Sequence, residues 1–403
     1  MAWTYTFTDL VSGEEIATLP MTGVSFEERV SGPGPLTGVV PTVDPKVRAL
    51  DPWAATQPRR TGVYVEHDDE VIWGGIVWGR DRTNDVGGLQ ITAATFESWL
   101  LYQFRTYDLD TRGFQLGAPS TLSGLAEGSD VEGMSGEGVG YPWDIGQGGD
   151  GTGELRVAGK VYDASDLKSF ADLLAGWVED WGIPIEWRYA VNRASGGGYS
   201  QTLLINEGQF GDGRNRVHLS YPDGGLLTFK HGEDGTVQAN TVIGSASGPL
   251  STKLLSVAHA ADVGSDEIAA GYPRQMASLS LSGSDTTQAY LDLRVRQELL
   301  NRLVQGEELS NLTLRPHSPS LASYRPGDST IIEIIHSSFR EWPRPAVFDG
   351  YRITSRKVSV GDGDSPDAVS ITVVPPGDRL PRSVTLTAAL RGVLARLRDL
   401  ETP

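Results

Sequence analysis

The chain begins by alternating. Trp3, Tyr5 and Phe7 are separated by Thr4 and Thr6, and further on Val24 and Phe26 alternate with Gly23, Ser25 and Glu27. Period two places every large side chain on one face of an extended segment, so two opening strands are expected, with a turn at Ser12-Gly13. A further strand, Leu36 to Val40, stops at Pro41. Asp44 before Pro45 signals the start of a helical turn over Pro45 to Leu50. One pattern then occurs twice. Val71-Ile72-Trp73-Gly74-Gly75-Ile76-Val77-Trp78 is loosely copied by Val347-Phe348-Asp349-Gly350-Tyr351-Arg352-Ile353-Thr354. In each copy an aromatic stands two places before a Gly. Large residues follow, then a basic residue (Arg80; Arg356), a polar loop (Asp81 to Gly88; Gly361 to Asp367) and a strand closing on Ile-Thr (Leu89 to Thr92; Val369 to Thr372). Thr61 to Val65 and Ser329 to Ile334 supply a strand upstream of each. The pattern predicts two copies of a unit with three strands and two turns. The repeated Gly predicts a bulge, a bend or a close backbone approach.

Helical spacing appears in four other places. Phe96, Trp99, Leu100 and Phe104 predict a helix over Thr95 to Phe104. Leu167, Phe170, Ala171, Leu174, Trp177, Val178 and Trp181 predict the clearest one, Asp163 to Gly182, capped by Asp163 or Ser165 and followed by Pro184. A third runs from Thr286 to Val304, with Asp285 and Gln288 as a capping box and Gly306 as its stop. Its stripes, Ala289-Leu293-Leu300-Val304 and Leu291-Val295-Leu299-Leu303, predict cover on both sides. The fourth, Ser383 to Leu400, carries Leu386, Leu390, Val393, Leu397 and Leu400 at the spacing of a short coiled-coil seam. Such a seam is too short to hold alone, and Pro375, Pro376 and Pro381 detach it, so these five residues form the expected assembly interface with another chain.

Between the two copies the texture changes. Gly113 to Gly159 is Gly-rich, acidic and weakly periodic, which reads as a surface excursion. Asp144, Asp150 and Glu154 are nearby oxygen donors, but no calcium-loop repeat accompanies them. Strands are predicted at Ile185 to Ala190, Gln201 to Asn206, Val217 to Tyr221 and Leu226 to Lys230. The fold class that results is mainly β, with an α+β insertion between the copies and a C-terminal helix.

Length and charge narrow the function. A chain of 403 residues has room for roughly two to four domains. It has no run of about eighteen apolar residues, so no membrane span is expected; its start lacks the basic, then apolar, order of a secretory leader. Acids outnumber bases 52 to 34, a net charge of −18, which repels nucleic acid on average. Cys is absent, which removes disulfides, thiolate catalysis and Cys-based zinc sites. None of the six His stands at metal-ligand spacing, and no HExxH, Gly-x-Ser-x-Gly or Gly-x-x-x-x-Gly-Lys pattern is present. His67 with Asp68, Asp69 and Glu70 reads as a solvated turn. The ten Trp read mostly as core, with Trp177 and Trp181 on a helix stripe and Trp73 and Trp78 on opposite faces of a regular strand. No catalytic, cofactor-binding or metal residues are therefore expected.

The order Leu19-Pro20-Met21-Thr22-Gly23-Val24-Ser25-Phe26, Gly32-Pro33-Gly34-Pro35-Leu36-Thr37-Gly38, Ala49-Leu50-Asp51-Pro52 and Val71 to Trp78 resembles the minor tail proteins of siphophages of actinobacteria. More broadly it resembles the tail-hub family related to baseplate hubs. The resemblance covers the first 105 residues or so. It implies two similar β-barrel domains (residues 1-110 and 271-380), a peripheral inserted region (111-270) and the C-terminal helix (381-403). It further implies a homotrimeric ring that adapts a six-fold tail tube to the tail tip and passes DNA during ejection. The implied partners are the distal tail protein, tape measure and tail-tip proteins, with DNA only in transit and a place at the virion tail tip. The competing reading is a tail protein that binds or cleaves cell-wall glycan through a Trp-rich surface and scattered acids.

Overall fold

The structure is a computed structural model. It describes residues 2–82, 87–102, 185–194, 196–207, 216–233, 238–247, 253–265, 271–281, 287–304, 307–316, 318–335, 346–362 and 365–375, with short pieces between them. The predicted helix Ser383 to Leu400 lies outside the described residues, as does all of Asp163 to Gly182 except Ser169, Ala171 and Asp172. The chain divides into two compact units, one mainly Met1–Thr228 with Leu312–Thr372, the other mainly Phe229–Asn311.

Strands dominate. In the N-terminal third they are β1 (Trp3–Asp9), β2 (Glu15–Thr18), β3 (Thr22–Arg29), β4 (Pro35–Val40), β5 (Thr61–His67), β6 (Glu70–Arg82) and β7 (Leu89–Thr95). Short pieces β8 (Leu109–Asp110), β9 (Asp144–Gln147) and β10 (Val161–Tyr162) precede β11 (Ile185–Arg193), β12 (Tyr199–Glu207), β13 (Arg216–Tyr221) and β14 (Leu226–Glu233). Then come β15 (Thr241–Ser247), β16 (Lys253–His259), β17 (Met276–Leu281), β18 (Glu307–Leu314), β19 (Ser329–Ile334), β20 (Ala346–Ser359) and β21 (Ala368–Val374). Helices whose bounds lie in the described residues are α1 (Pro45–Arg48), α2 (Pro52–Ala55) and α3 (Gln288–Val304). Asp44 caps α1 by accepting from the Lys46 amide at 2.8 Å, the start that Asp-Pro announces.

Thirteen strands form one sheet, whose path runs β14-β18-β21-β20-β3-β4-β7-β6-β5-β1-β2, with β13 beside β19 and β19 also beside β20. Both predicted three-strand units are present, as β5-β6-β7 and β19-β20-β21. They share their neighbours too: β4 flanks β7 antiparallel as β18 flanks β21, and β3 flanks β4 as β14 flanks β18. The described strands thus hold two meanders of one strand order, joined by β20 pairing with β3 from Ser355↔Arg29 to Ser359↔Ser25.

The repeated Gly has a different cause in each copy. At Gly75 an added methyl would overlap the Ala94 carbonyl and the Trp73 ring, so the backbone is there because nothing larger fits. Gly350 instead has φ 78° and falls where the β19–β20 register shifts, a bulge. Two further expectations change. The predicted helix after β7 is a 3-10 turn, Phe96–Tyr102, whose Phe96 and Leu100 are buried against the sheet. Trp73 and Trp78 are not on one regular strand, because β6 shifts register between Val77 and Gly79. Trp73 is fully buried beside Phe26, while Trp78 donates to Ser98 and faces Trp99 and Tyr102.

The second unit is a small sheet, β16-β15-β17, covered by α3. Leu291, Val295 and Leu299 are fully buried against Val242, Ala246 and Ala258, and Gly244 lets the Val295 side chain reach the strand. Cover on both sides does not occur: Leu293 and Leu300 of the other stripe remain 39% and 45% exposed, since one sheet can bury only one helix face. The Thr287 hydroxyl accepts from the Tyr290 amide at 3.3 Å and caps the helix, whereas Asp285 lies outside the described residues. Gln288 reaches Asp292 and the Leu255 carbonyl instead of closing a capping box.

Candidate functional site

The place where the two meanders meet buries charged side chains, and it is built by alternation. Val24, Phe26 and Glu28 share one face of β3, so an acid follows two core residues; Arg352, Thr354 and Arg356 likewise share one face of β20. Across the β3–β20 pairing Arg356 stands opposite Glu28. Its side chain is 1% exposed and is satisfied on every side. It donates to Glu28 through Nε at 2.9 Å and through Nη2, and to the carbonyls of Tyr324, at 2.7 Å, and Leu321. The guanidinium also lies 5.1 Å from the Tyr324 ring centroid, and burial pushes that phenol up to about 12. A buried guanidinium is tolerable only when paired and bonded in this way.

Strands β11 and β12 add a second tie across the same region. Arg352 pairs with Glu186 of β11, both buried, and Arg188 Nη1 donates to the Pro326 carbonyl at 2.7 Å. On the other side the Ser31 amide donates to the Trp187 carbonyl and the Trp187 amide to the Ser31 hydroxyl, Arg193 pairs with Glu66 at 2.8 Å, and Tyr199 stacks on Tyr64 at 3.9 Å. Glu97 accepts from the Tyr189 amide at 3.0 Å. Burial pushes this carboxyl up to about 7. It lines a cavity of about 20 Å³, the room of one water, together with Glu28, Arg29, Arg188 and Arg325. Such a space holds no substrate.

A larger cavity, of about 430 Å³, lies in the second unit, where Asp262, Asp292 and Arg296 line it with Leu255 and Val257. Among the described residues no group of three metal-ligating side chains comes together, and no helix is long and apolar enough to cross a membrane. His67 is not in the solvated turn expected for it: it is the last residue of β5, its ring is packed 4.5 Å from that of Trp3 and it is 9% exposed, so the turn is left to Asp68 and Asp69. The expected interface residues Leu386, Leu390, Val393, Leu397 and Leu400 lie outside the described residues. Sequence reasoning singled out Arg356 as the basic residue of the repeat and missed Glu28, Glu97 and Glu186. For Glu28 the signal was available, an acid in phase with Val24 and Phe26.

No known protein family and no curated protein matches the sequence. Solved structures do. The tail protein of Neisseria meningitidis MC58 aligns over 93% of this chain and 97% of its own, with TM-score 0.55 and 12% identity. The chain has the fold of a tail protein. The 43 kDa tail protein of prophage MuSo2 from Shewanella oneidensis aligns over 93% and 99%, with TM-score 0.57 and 11% identity. A chain of the Francisella PdpA-VgrG complex aligns over 94% of this chain and 59% of that one, with TM-score 0.55 and 10% identity. At such identities the likeness is one of fold.

Proposed function

We propose that this protein is a structural component of a phage tail tip, a hub of three copies that fits a six-fold tail tube and lets DNA pass. The observation that carries the reading is the internal repeat: one chain supplies two meanders of the same strand order, joined edge to edge. Three copies then present six equivalent surfaces, which a six-fold ring can meet evenly. Its interior polar groups are engaged in joining the two halves, as expected of a scaffold. Distal tail, tape-measure and tail-tip proteins are its proposed neighbours. The C-terminal seam is proposed to pack on another chain, and deleting residues 383 to 403 is expected to leave the sheet folded while impairing particle assembly. The glycan reading gains no support: Trp73 and Trp187 are buried, and Trp53 lies beneath Arg80.

Electron microscopy of the purified protein and of tails carrying it tests the proposal. A ring with three-fold symmetry is expected. Monomer at high concentration, together with tails that lack a three-fold ring containing this chain, overturns it.

A further inference from the structure

Strand β16 stands at one end of the order β16-β15-β17, and its own hydrogen bonds show which backbone groups look away from the sheet. Along an antiparallel strand, successive residues direct their N–H and C=O groups to one edge and then to the other. Just past the strand the Ala260 amide continues the ladder by donating to the Asn240 carbonyl at 2.9 Å, so the even-numbered residues from Leu254 onward turn their backbone toward β15. The odd-numbered ones turn outward. Two side chains agree with this phase: Gln288 Nε2 donates to the Leu255 carbonyl at 3.1 Å, and the Asp262 carboxylate accepts from the His259 amide at 2.7 Å. Between these two capped places the Val257 amide and carbonyl point outward.

That edge borders the cavity of about 430 Å³, and the two faces of the strand give the cavity two kinds of wall. Leu255 and Val257 lie on the sheet face turned away from α3 and are exposed by 66% and 51%; Met276 of β17, on the same face, is exposed by 61%. This wall is apolar. Ser256 and Ala258 face α3, where hydrogen bonds from Ser256 and Gln288 push the Asp292 carboxyl down and keep it ionised at neutral pH. Asp262 and Arg296 line the cavity beside it, so the second wall carries two carboxylates against one guanidinium.

We propose that the outward edge of β16 is a docking site for an extended segment of a neighbouring protein, which adds to the sheet as a further strand and alternates apolar side chains beside Leu255 and Val257 with basic ones beside Asp292 and Asp262. In such a contact the main-chain bonds, here to Val257 and the Leu255 amide, supply affinity, and the side chains on either face supply selection. A strand edge that also exposes two large apolar side chains is one that folded proteins ordinarily protect. The cavity has the size of clefts that hold ligands. Charge decides against a second copy: antiparallel pairing of two β16 edges would set Asp262 and Asp292 beside their own images, and a chain with 52 acids to 34 bases is a poor source of a basic segment. The contact goes beyond the hub reading and does not depend on three-fold symmetry.

The test is fluorescence anisotropy of the full chain with a short labelled peptide that alternates lysine and valine. Saturable binding is expected, about tenfold tighter than for the same peptide with glutamate in place of lysine. Methylating the backbone nitrogens of the lysine peptide keeps its charge and removes its donors, and should weaken binding by about tenfold or more. Val257→Pro removes one outward N–H at an edge position, where proline is tolerated, and should weaken binding by about three- to tenfold with the thermal melt retained. If that variant does not fold, the methylated peptide decides on the wild-type chain alone. Asp292→Lys should turn the preference toward the glutamate peptide. Binding that is not saturable overturns the proposal, and so does a methylated peptide that binds as tightly as its parent, since attraction to a net charge of −18 alone would then explain it. Self-association of the wild type that Val257→Pro abolishes assigns the edge to a second copy and overturns it as well.

Discussion

The two meanders share a strand order and differ in what covers them. Every residue of β5 is buried, and β6 is buried from Val71 to Val77, whereas β19 alternates between half-buried and buried and β20 begins with Val347 and Asp349 exposed. The cause is visible on the outer face of the first meander, where β11, β12 and the 3-10 turn lie. Gly74 there faces Val191 and Phe96, and Tyr64 faces Tyr199. The difference teaches that a repeat in strand order does not require a repeat in environment. Equivalent positions can therefore be compared as paired experiments, each copy serving as the control for the other.

The largest contrast is expected at the two arginines. Arg356→Ala strands the Glu28 carboxylate and two carbonyls in the interior and should cost about 3 to 5 kcal/mol by urea denaturation. Arg80→Ala should stay within about 0.5 kcal/mol for the isolated chain. Equal losses would mean that the first meander has its own hidden partner for Arg80. Trp73→Ala should likewise cost about 3 to 5 kcal/mol, and Phe348→Ala, at a half-buried site, clearly less.

Glu97 belongs to the covered meander alone and gives the comparison a pH axis. Its carboxyl, raised to about 7 from an ordinary 4.5, holds a proton more tightly folded than unfolded between those values. Stability should therefore be greatest below about pH 4.5 in this respect and fall, by on the order of 2 to 3 kcal/mol, as pH rises to about 7. The charged groups around it are Glu28, Arg29, Arg188 and Arg325. Glu97→Gln, always neutral, should remove this slope; an unchanged stability profile from pH 4 to 8 would refute the assignment. The smallest contrast is between the glycines. Gly75→Ala meets the Ala94 carbonyl and should cost about 1 to 3 kcal/mol, while Gly350→Ala has its left-handed φ against it, about 1 to 2 kcal/mol. Thermal melts of the two variants rank them.

Much of the strand inventory was legible because alternation is local. Trp3 to Phe7, Leu36 to Val40 and the strands at 185, 201, 217 and 226 all appear where period two and turn residues put them. Partnerships were not legible. Nothing local in Val217 to Tyr221 says that it lies parallel to β19, more than a hundred residues on, or that β3 closes on β20. Helical spacing misled at Phe96, where the chain needs one tight turn to tuck two apolar side chains under the sheet and goes no further. The stripes of α3 named its faces correctly but could not say that only one sheet would meet them. Glu97 left no trace, because its environment is made by Tyr189 and Arg188, which reach it from a distant strand.

The pairing of Ser25 with Ser359 also sets a clock. During synthesis, β3 emerges first and must wait with one edge unsatisfied until β20 has been made, some 330 residues later by that same pairing. At about 5 to 20 residues per second this is roughly 15 to 70 seconds of exposed edge. The strands that bind the halves together are thus the last to be completed, so a truncated chain lacks β20 and cannot close its own sheet. Only a finished polypeptide then presents β3 with both edges paired, and a chain cut short before β20 keeps one edge of β3 open.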